Sequence, residues 1–303
     1  MGLKEDMLEQ LKDVERLART SRAGRLLHHP YRYLSAILFK DFIYPRSRKE
    51  KIKRTQLFNG LEMTIVLPSS TDIYLTGGKS HDSEIRLARF IIRNLQPGQH
   101  FLDIGAHYGY FTLIASCLTG PTGKVVALEP AGKTHTILSR NCTGRSNVTV
   151  IRKAIADEAG EIVFYEFPNL FSEYNAIDIE QFREEKWFSG FRPEQTVVPA
   201  TTIDELCSGD FNPALIKIDV EGAELKVMKG GLHFFEQHSP LIAMEYLAPE
   251  RGNTEHSKAV SMLREKGYRT FLLGHEGDMQ ETADIEAHLR SGGLESDNII
   301  LSK

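Results

Sequence analysis

Apolar residues recur along the first 22 positions at helical spacing, with Met7, Leu8, Leu11, Val14, Leu17 and Ala18 on one side, which predicts an amphipathic helix. Two further short segments follow to about Leu57. Leu61–Val66 reads as a strand. Ile85, Leu87, Ala88, Ile91 and Ile92 give Ser83–Asn94 the apolar face of a helix, closed by Pro97-Gly98. From Phe101 onward the period switches back and forth between strand and helix. Strands are expected at Phe101–Ile104, Lys124–Leu128, Val148–Arg152, Leu215–Val220, Leu241–Glu245, Thr270–Leu273 and Asn298–Leu301. Helices are expected between them at Tyr110–Leu118, Lys133–Thr143, Ala223–Phe235 and His256–Lys266. Such alternation predicts an α/β fold, a doubly wound and mainly parallel sheet of seven strands.

One stretch interrupts the alternation. Glu161–Phe167 and Thr196–Ala200 have β character, and Pro168–Gln195 between them is polar, aromatic and irregular. A loop of that length inside a compact domain is either functional or disordered. Phe171, Tyr174, Trp187, Phe188 and Phe191 are too many aromatics for disorder, so the insertion at about 161–200 is expected to form a lid on the substrate side. The chain thus divides into a helical, basic extension over residues 1–60 and a ligand-binding domain over 61–303.

Composition adds two things. Residues 1–60 hold 14 Lys/Arg against 7 Asp/Glu, a net of +7, while the remainder holds 23 against 34, a net of −11. The excess peaks at Arg46, Arg48, Lys49, Lys51, Lys53 and Arg54, just after Leu34, Ile37, Leu38 and Phe39. Residues 22–54 are expected first as a solvated helix–loop–helix packed on their own domain or on a second subunit (a homo-oligomer through the N-terminal helices) with those apolar residues buried, since charge runs usually face water. The alternative is contact with an anionic membrane surface or a polyanionic substrate. No nucleic-acid partner is expected. Cys117, Cys142 and Cys207 are widely spaced and form no metal-type pair. Met1–Asp6 carries acids and no apolar run of signal-peptide kind, and no stretch approaches the roughly 18 apolar residues of a bilayer span. A cytoplasmic protein is expected, peripheral to the inner membrane surface if the basic arm binds lipid.

The candidate chemistry sits at strand ends. The first sheet strand runs into Asp103-Ile104-Gly105-Ala106-His107-Tyr108-Gly109. Glycines at a strand-to-helix turn let backbone approach a ligand beyond the sheet's carboxyl edge. A pyrophosphate site would prefer Gly-x-Gly-x-x-Gly, and the acid at Asp103 suits a cationic ligand such as S-adenosylmethionine (SAM), which brings an ammonium and a sulfonium. The second strand ends in Glu129-Pro130, where a carboxylate can accept hydrogen bonds from ribose hydroxyls. Gly132-Lys133-Thr134 is no phosphate loop, because Ala127 stands where the leading glycine belongs. The fourth strand gives Ile216-Lys217-Ile218-Asp219-Val220-Glu221-Gly222-Ala223-Glu224, and the fifth ends in Met244-Glu245-Tyr246. A carboxylate at a buried strand tip needs a partner, which singles out Asp219, with Glu245 in the same cleft.

Taken together, Phe101–Gly109, Ala127–Pro130, Lys153–Asp157, Thr201–Asp204 and Ile216–Glu224 resemble the FkbM-type methyltransferases over about residues 80 to 247. The resemblance implies the seven-stranded class I SAM-methyltransferase fold (Rossmann-like) and O-methylation, commonly of a sugar hydroxyl in a glycan or natural product. It implies Asp103, Gly105, Gly109 and Glu129 as cofactor residues, Ala154 in the Lys-Ala-Ile-Ala-Asp segment with them, Asp219 and Glu221 at the site, and Glu84 at the cofactor's amino-acid end. The family usually has Asn where His107 stands. His107 then either hydrogen-bonds as Asn would or accepts a proton near the methyl group.

Methyl transfer requires alignment of acceptor oxygen, methyl carbon and sulfur, and a base to take the hydroxyl proton. Asp219 ranks first for that base, then Glu245, then His107. A divalent metal (Mg²⁺) held by Asp219 and Glu245 is a rival scheme, not favoured, and no metal ligand set is assigned. Two other classes stand beside this reading: an NAD-dependent sugar-modifying oxidoreductase, which Asp103 and the missing middle glycine oppose, and a non-catalytic SAM-fold interaction module docked through its basic arm.

Overall fold

The structure, a computed structural model, describes residues 2–177, 179, 188 and 193–303. Trp187 and Phe191 of the expected lid lie outside the described residues.

The strands are β1 (Lys51–Gln56), β2 (Glu62–Leu67), β3 (His100–Ile104), β4 (Lys124–Leu128), β5 (Val148–Ile151), β6 (Ala154–Ile155), β7 (Gly160–Glu166), β8 (Glu194–Thr201), β9 (Pro213–Ile218), β10 (Leu241–Leu247), β11 (Arg269–Leu273), β12 (Met279–Glu281) and β13 (Ser296–Ser302). The main sheet has the order β12-β11-β13-β10-β9-β3-β4-β5. Neighbours from β10 to β5 pair in parallel, whereas β13 runs antiparallel to both β10 and β11. The seven expected strands are all present, and β12 adds a short eighth strand at the edge. From β3 the chain winds outward through β4 and β5, then returns to the other side of β3 as β9. The switch point between β3 and β9 is where such a sheet opens a crevice at its carboxyl edge.

Helices cover both faces. The apolar runs of the parallel strands split between two cores, with Phe101 and Val125 facing one and Leu102, Ile104, Val126 and Leu128 the other. The first core is closed by α6 (Asp82–Asn94) and α7 (Tyr110–Thr119), and by α1 (Leu3–Arg19), whose Met7, Leu11 and Val14 are fully buried. Arg89 of α6 pairs with Glu15 of α1, and Glu15 Oε1 also meets His275 Nε2 at 2.7 Å. Arg86 grips Asp297 with both terminal nitrogens in a buried pair. The N-terminal helix is thus built into the domain rather than appended to it.

Several expectations need correction. The basic peak at 51–54 is a strand, β1, paired antiparallel with β2 from Lys51↔Leu67 to Gln56↔Glu62, so a hairpin crosses the expected boundary at residue 60. The helix expected over Ala223–Phe235 is two, α10 (Glu224–Lys229) and α11 (Leu232–Gln237), broken at Gly230-Gly231. A side chain at Gly230 would run into the Ala156 carbonyl, so the chain needs glycine there and helix is lost at the pair. Short helices α5 (Thr71–Thr76) and α13 (Ile285–Gly292) were not anticipated.

Candidate active site

The floor of the site is the turn after β3. Gly105 has φ +75°, and an added Cβ would strike the Asp219 backbone carbonyl, so only glycine lets the β3 and β9 ends close on each other. Gly105 and Ala106 both donate to the Leu128 carbonyl, locking the turn to the tip of β4. Beyond that tip, Glu129 accepts from the backbone N–H of His107 (2.9 Å) and of Ala131 (3.0 Å). Burial lifts its pKa to about 7 against those two bonds. It therefore shapes the turn as well as facing the cleft.

Over this floor lies a cleft of about 340 Å³. Leu128, Ala154, Ile155, Phe164 and Ile177 form an apolar side, and Lys79, Glu84, Asp219, Glu221, Glu245 and Asn298 a polar end. Gly105, His107 and Glu129 also line it. The structure thus brings together Glu84, Gly105, His107, Glu129, Ala154, Asp219, Glu221 and Glu245. Asp103 and Gly109 are not in the wall. Gly109 caps α7 in a left-handed conformation, φ +89°. Asp103 is wholly buried beneath the turn, where Thr112 Oγ1 donates to it at 2.6 Å and Lys217 Nζ lies 3.5 Å away. The register sets Lys217 directly opposite Asp103 on the neighbouring strand, so the acid's cationic partner comes from the protein itself.

Lys217 is the residue that motif reading overlooked. Its ammonium is 3.0 Å from the Gly105 carbonyl and 3.2 Å from Asp219 Oδ2, joining β3 and β9 from below. A lysine between Ile216 and Ile218 in a buried strand was the available signal, since a buried ammonium demands partners. Lys79, 2.7 Å from Glu84 Oε1, is a second missed cation.

Electrostatics separate the acids. One carboxylate oxygen from each of Asp219, Glu221 and Glu245 lies within 4.8 Å of the other two. Burial raises all three, but Lys217 and Lys79 outweigh it at Asp219 and hold that carboxyl below the ordinary range. Glu245, raised by burial and then by the Asp219 charge, reaches about 8, and Glu221 goes well above the usual value for burial and its proximity to Glu245. His107 Nε2 lies 3.0 Å from Ser172 Oγ on the 3₁₀ turn Asn169–Tyr174, and burial together with Lys79 drops its pKa to about 3. It is a neutral imidazole that helps fasten the insertion over the cleft, where Ser172, Glu173, Tyr174 and Asn175 contribute to the wall.

These shifts fix the pH dependence of stability. Glu129 and Glu224 at about 7 and Glu245 at about 8 all stand above the ordinary 4.5. Their contribution is complete below that value and is lost as pH rises through 7 to 8. His107 at about 3 and His256 at about 4 oppose this trend only below their ordinary 6.5. The melting temperature of the protein without ligand is expected to fall from about pH 6.5 to about pH 8, by roughly 2–4 °C for each kcal/mol lost. A flat or rising curve across that window, measured by calorimetry, would contradict the assignment.

A sheet with this switch point, a glycine turn, an acid just beyond the second strand tip and a cluster of carboxylates is the arrangement expected of a SAM-dependent methyltransferase. The cleft suits the cofactor on its own terms: the apolar side accepts a flat base, Glu129 has lone pairs left for ribose hydroxyls, and Glu84 Oε2 is buried with no hydrogen-bond partner among the described residues, as an ammonium would require. The chain belongs to the FkbM methyltransferase family, whose domain model matches residues 103–270. It is similar to methyltransferase sdnD of Sordaria araneosa, 26% identical over 201 residues, which are 58% of this chain and 76% of that protein. It is also similar to a probable cobalt-precorrin-6B C(15)-methyltransferase (decarboxylating) of Thermoplasma volcanium, 30% identical over 122 residues, covering 36% and 61%. Among solved structures, methyltransferase FkbM from Methylobacillus flagellatus aligns with 15% identity and a TM-score of 0.42 over 78% of this chain, which spans about half (53%) of that one. Family membership sets aside the NAD-dependent reading.

Proposed function

We propose that the protein transfers a methyl group from SAM to a hydroxyl oxygen, on a sugar of a glycan or glycosylated natural product. The observation that carries this reading is the group formed by Asp219, Glu221 and Glu245 beside the glycine turn. The cofactor would be held by Glu129 at its ribose and Glu84 at its amino-acid end, and it supplies a methyl already attached to a good leaving group. What remains for the chain is alignment and removal of a proton. A sugar hydroxyl is a weak nucleophile, and a base works best when its pKa lies near the working pH. Sequence alone ranked Asp219 first. The two lysines that keep Asp219 ionised also make it a poor base, whereas Glu245, at about 8, is matched to the task. Glu245 accordingly takes the hydroxyl proton, and Asp219 orients that hydroxyl by accepting a hydrogen bond. His107, at about 3, is too weakly basic to serve. The polar walls supplied by Glu173, Asn175, Ser296 and Asn298, with Tyr174 beside them, suit a polyhydroxylated acceptor.

The same three carboxylates favour a second reading, in which a divalent ion orients and acidifies the hydroxyl. Incubation with methyl-labelled SAM and a panel of cell-envelope glycans and nucleotide sugars, before and after dialysis against EDTA, tests both. Methyl ethers on sugar oxygen, formed equally after dialysis, are expected. Transfer to nitrogen or carbon would overturn the O-methyl reading, and activity lost to EDTA but restored by Mg²⁺ would replace the base with the metal.

A further inference from the structure

Helix α3 (Pro30–Leu38) runs through a π-helical turn, Phe39–Ile43, into α4 (Tyr44–Ser47), making one nearly continuous rod. Ala36, Phe39 and Tyr44 are buried against the domain. On the side opposite Tyr33, Ala36 and Ile37, at three- and four-residue steps, stand Tyr31 (83% exposed), Leu34 (59%), Leu38 (54%) and Phe42 (55%), with Leu27 (83%) at the end of the preceding α2 (Arg22–His28). Of the four apolar residues expected to be buried together, only Phe39 is fully so; Leu34 and Leu38 face outward. A stripe of this kind, two aromatics included, is what interfacial helices lay into a bilayer surface.

Charge identifies the occupant. Residues 22–54 hold ten Lys/Arg against Asp41 and Glu50, a net of +8. Lys40, Arg46, Lys49, Lys51 and Arg54 are all exposed, and Arg46 Nη1 donates to the carbonyl of Phe42 in the stripe at 2.7 Å. A second copy seated here would bring two +8 segments together, whereas an anionic surface is attracted to them. No helix among the described residues is long and apolar enough to cross a membrane, so contact lies in the interface plane.

We propose that this face docks the enzyme peripherally on an anionic lipid surface. The inference does not depend on which atom accepts the methyl group. The full chain should co-sediment with vesicles of phosphatidylcholine plus phosphatidylglycerol, much less with phosphatidylcholine alone, and release as salt rises. Leu34→Gln with Leu38→Gln and Phe42→Gln should lower vesicle affinity about tenfold or more, as should Arg46, Lys49, Lys51 and Arg54 all changed to Gln. The rise in melting temperature on adding SAM should persist in both variants, showing them folded. Equal binding to neutral vesicles, or undiminished binding by both variants, would overturn the proposal. So would light scattering that finds a dimer which the apolar variant converts to monomer, since that assigns the face to a second copy.

Discussion

Glu245→Gln is expected to lower turnover on the true acceptor by about 10²–10⁴-fold while SAM affinity changes little. The glutamine keeps the side chain's size and removes its capacity to hold a proton. The three acids titrate as a group, so the pH profile of kcat should show an apparent limb near 8 that belongs to the cluster. Asp219→Asn supplies the discriminating control. Asp219 raises Glu245 through its charge, so its removal should move the limb to lower pH. Near-native turnover in Glu245→Gln, or a limb that vanishes in Asp219→Asn and persists in Glu245→Gln, would make Asp219 the base.

Lys217→Met should destabilise the protein by about 3–5 kcal/mol, because it leaves the buried carboxylate of Asp103 without its cation and Asp219 without its nearer one. The Gly105 carbonyl loses a donor at the same stroke. Asp103→Asn added to Lys217→Met should recover part of the loss, since the uncompensated charge, more than the missing bond, is what costs. A change below about 1 kcal/mol in denaturant unfolding would show the triad to be no stronger than a surface pair.

Much of this architecture is legible in the chain. The strands of the central sheet are buried on both faces and read as short apolar runs between glycine turns, so all seven appear in the sequence at nearly their structural bounds. The tip residues follow, because the last polar position of each such run is placed at the carboxyl edge. What depends on register does not follow. Asp103 reads as a ligand for an external cation until Lys217 is found opposite it on β9. β1 is hidden because Lys51, Lys53 and Arg54 are held at a two-stranded hairpin, where exposed positions tolerate charge and leave no apolar alternation to see. The contribution of Ser172 and Glu173 to the cleft is invisible for a similar reason: tertiary folding of the insertion, not local pattern, brings them to His107.

The most direct test of the account is calorimetric titration of SAM into the native chain and into Glu129→Ala. Loss of charge-assisted bonds to the ribose should weaken binding by about 1.5–3 kcal/mol. Because Glu129 also accepts from His107 and Ala131, circular dichroism and a melt must first show the variant folded. One SAM bound per native chain, with at least about tenfold weaker binding in the folded variant, is the predicted result. No SAM binding to the native chain, or equal affinity in the two, would contradict it.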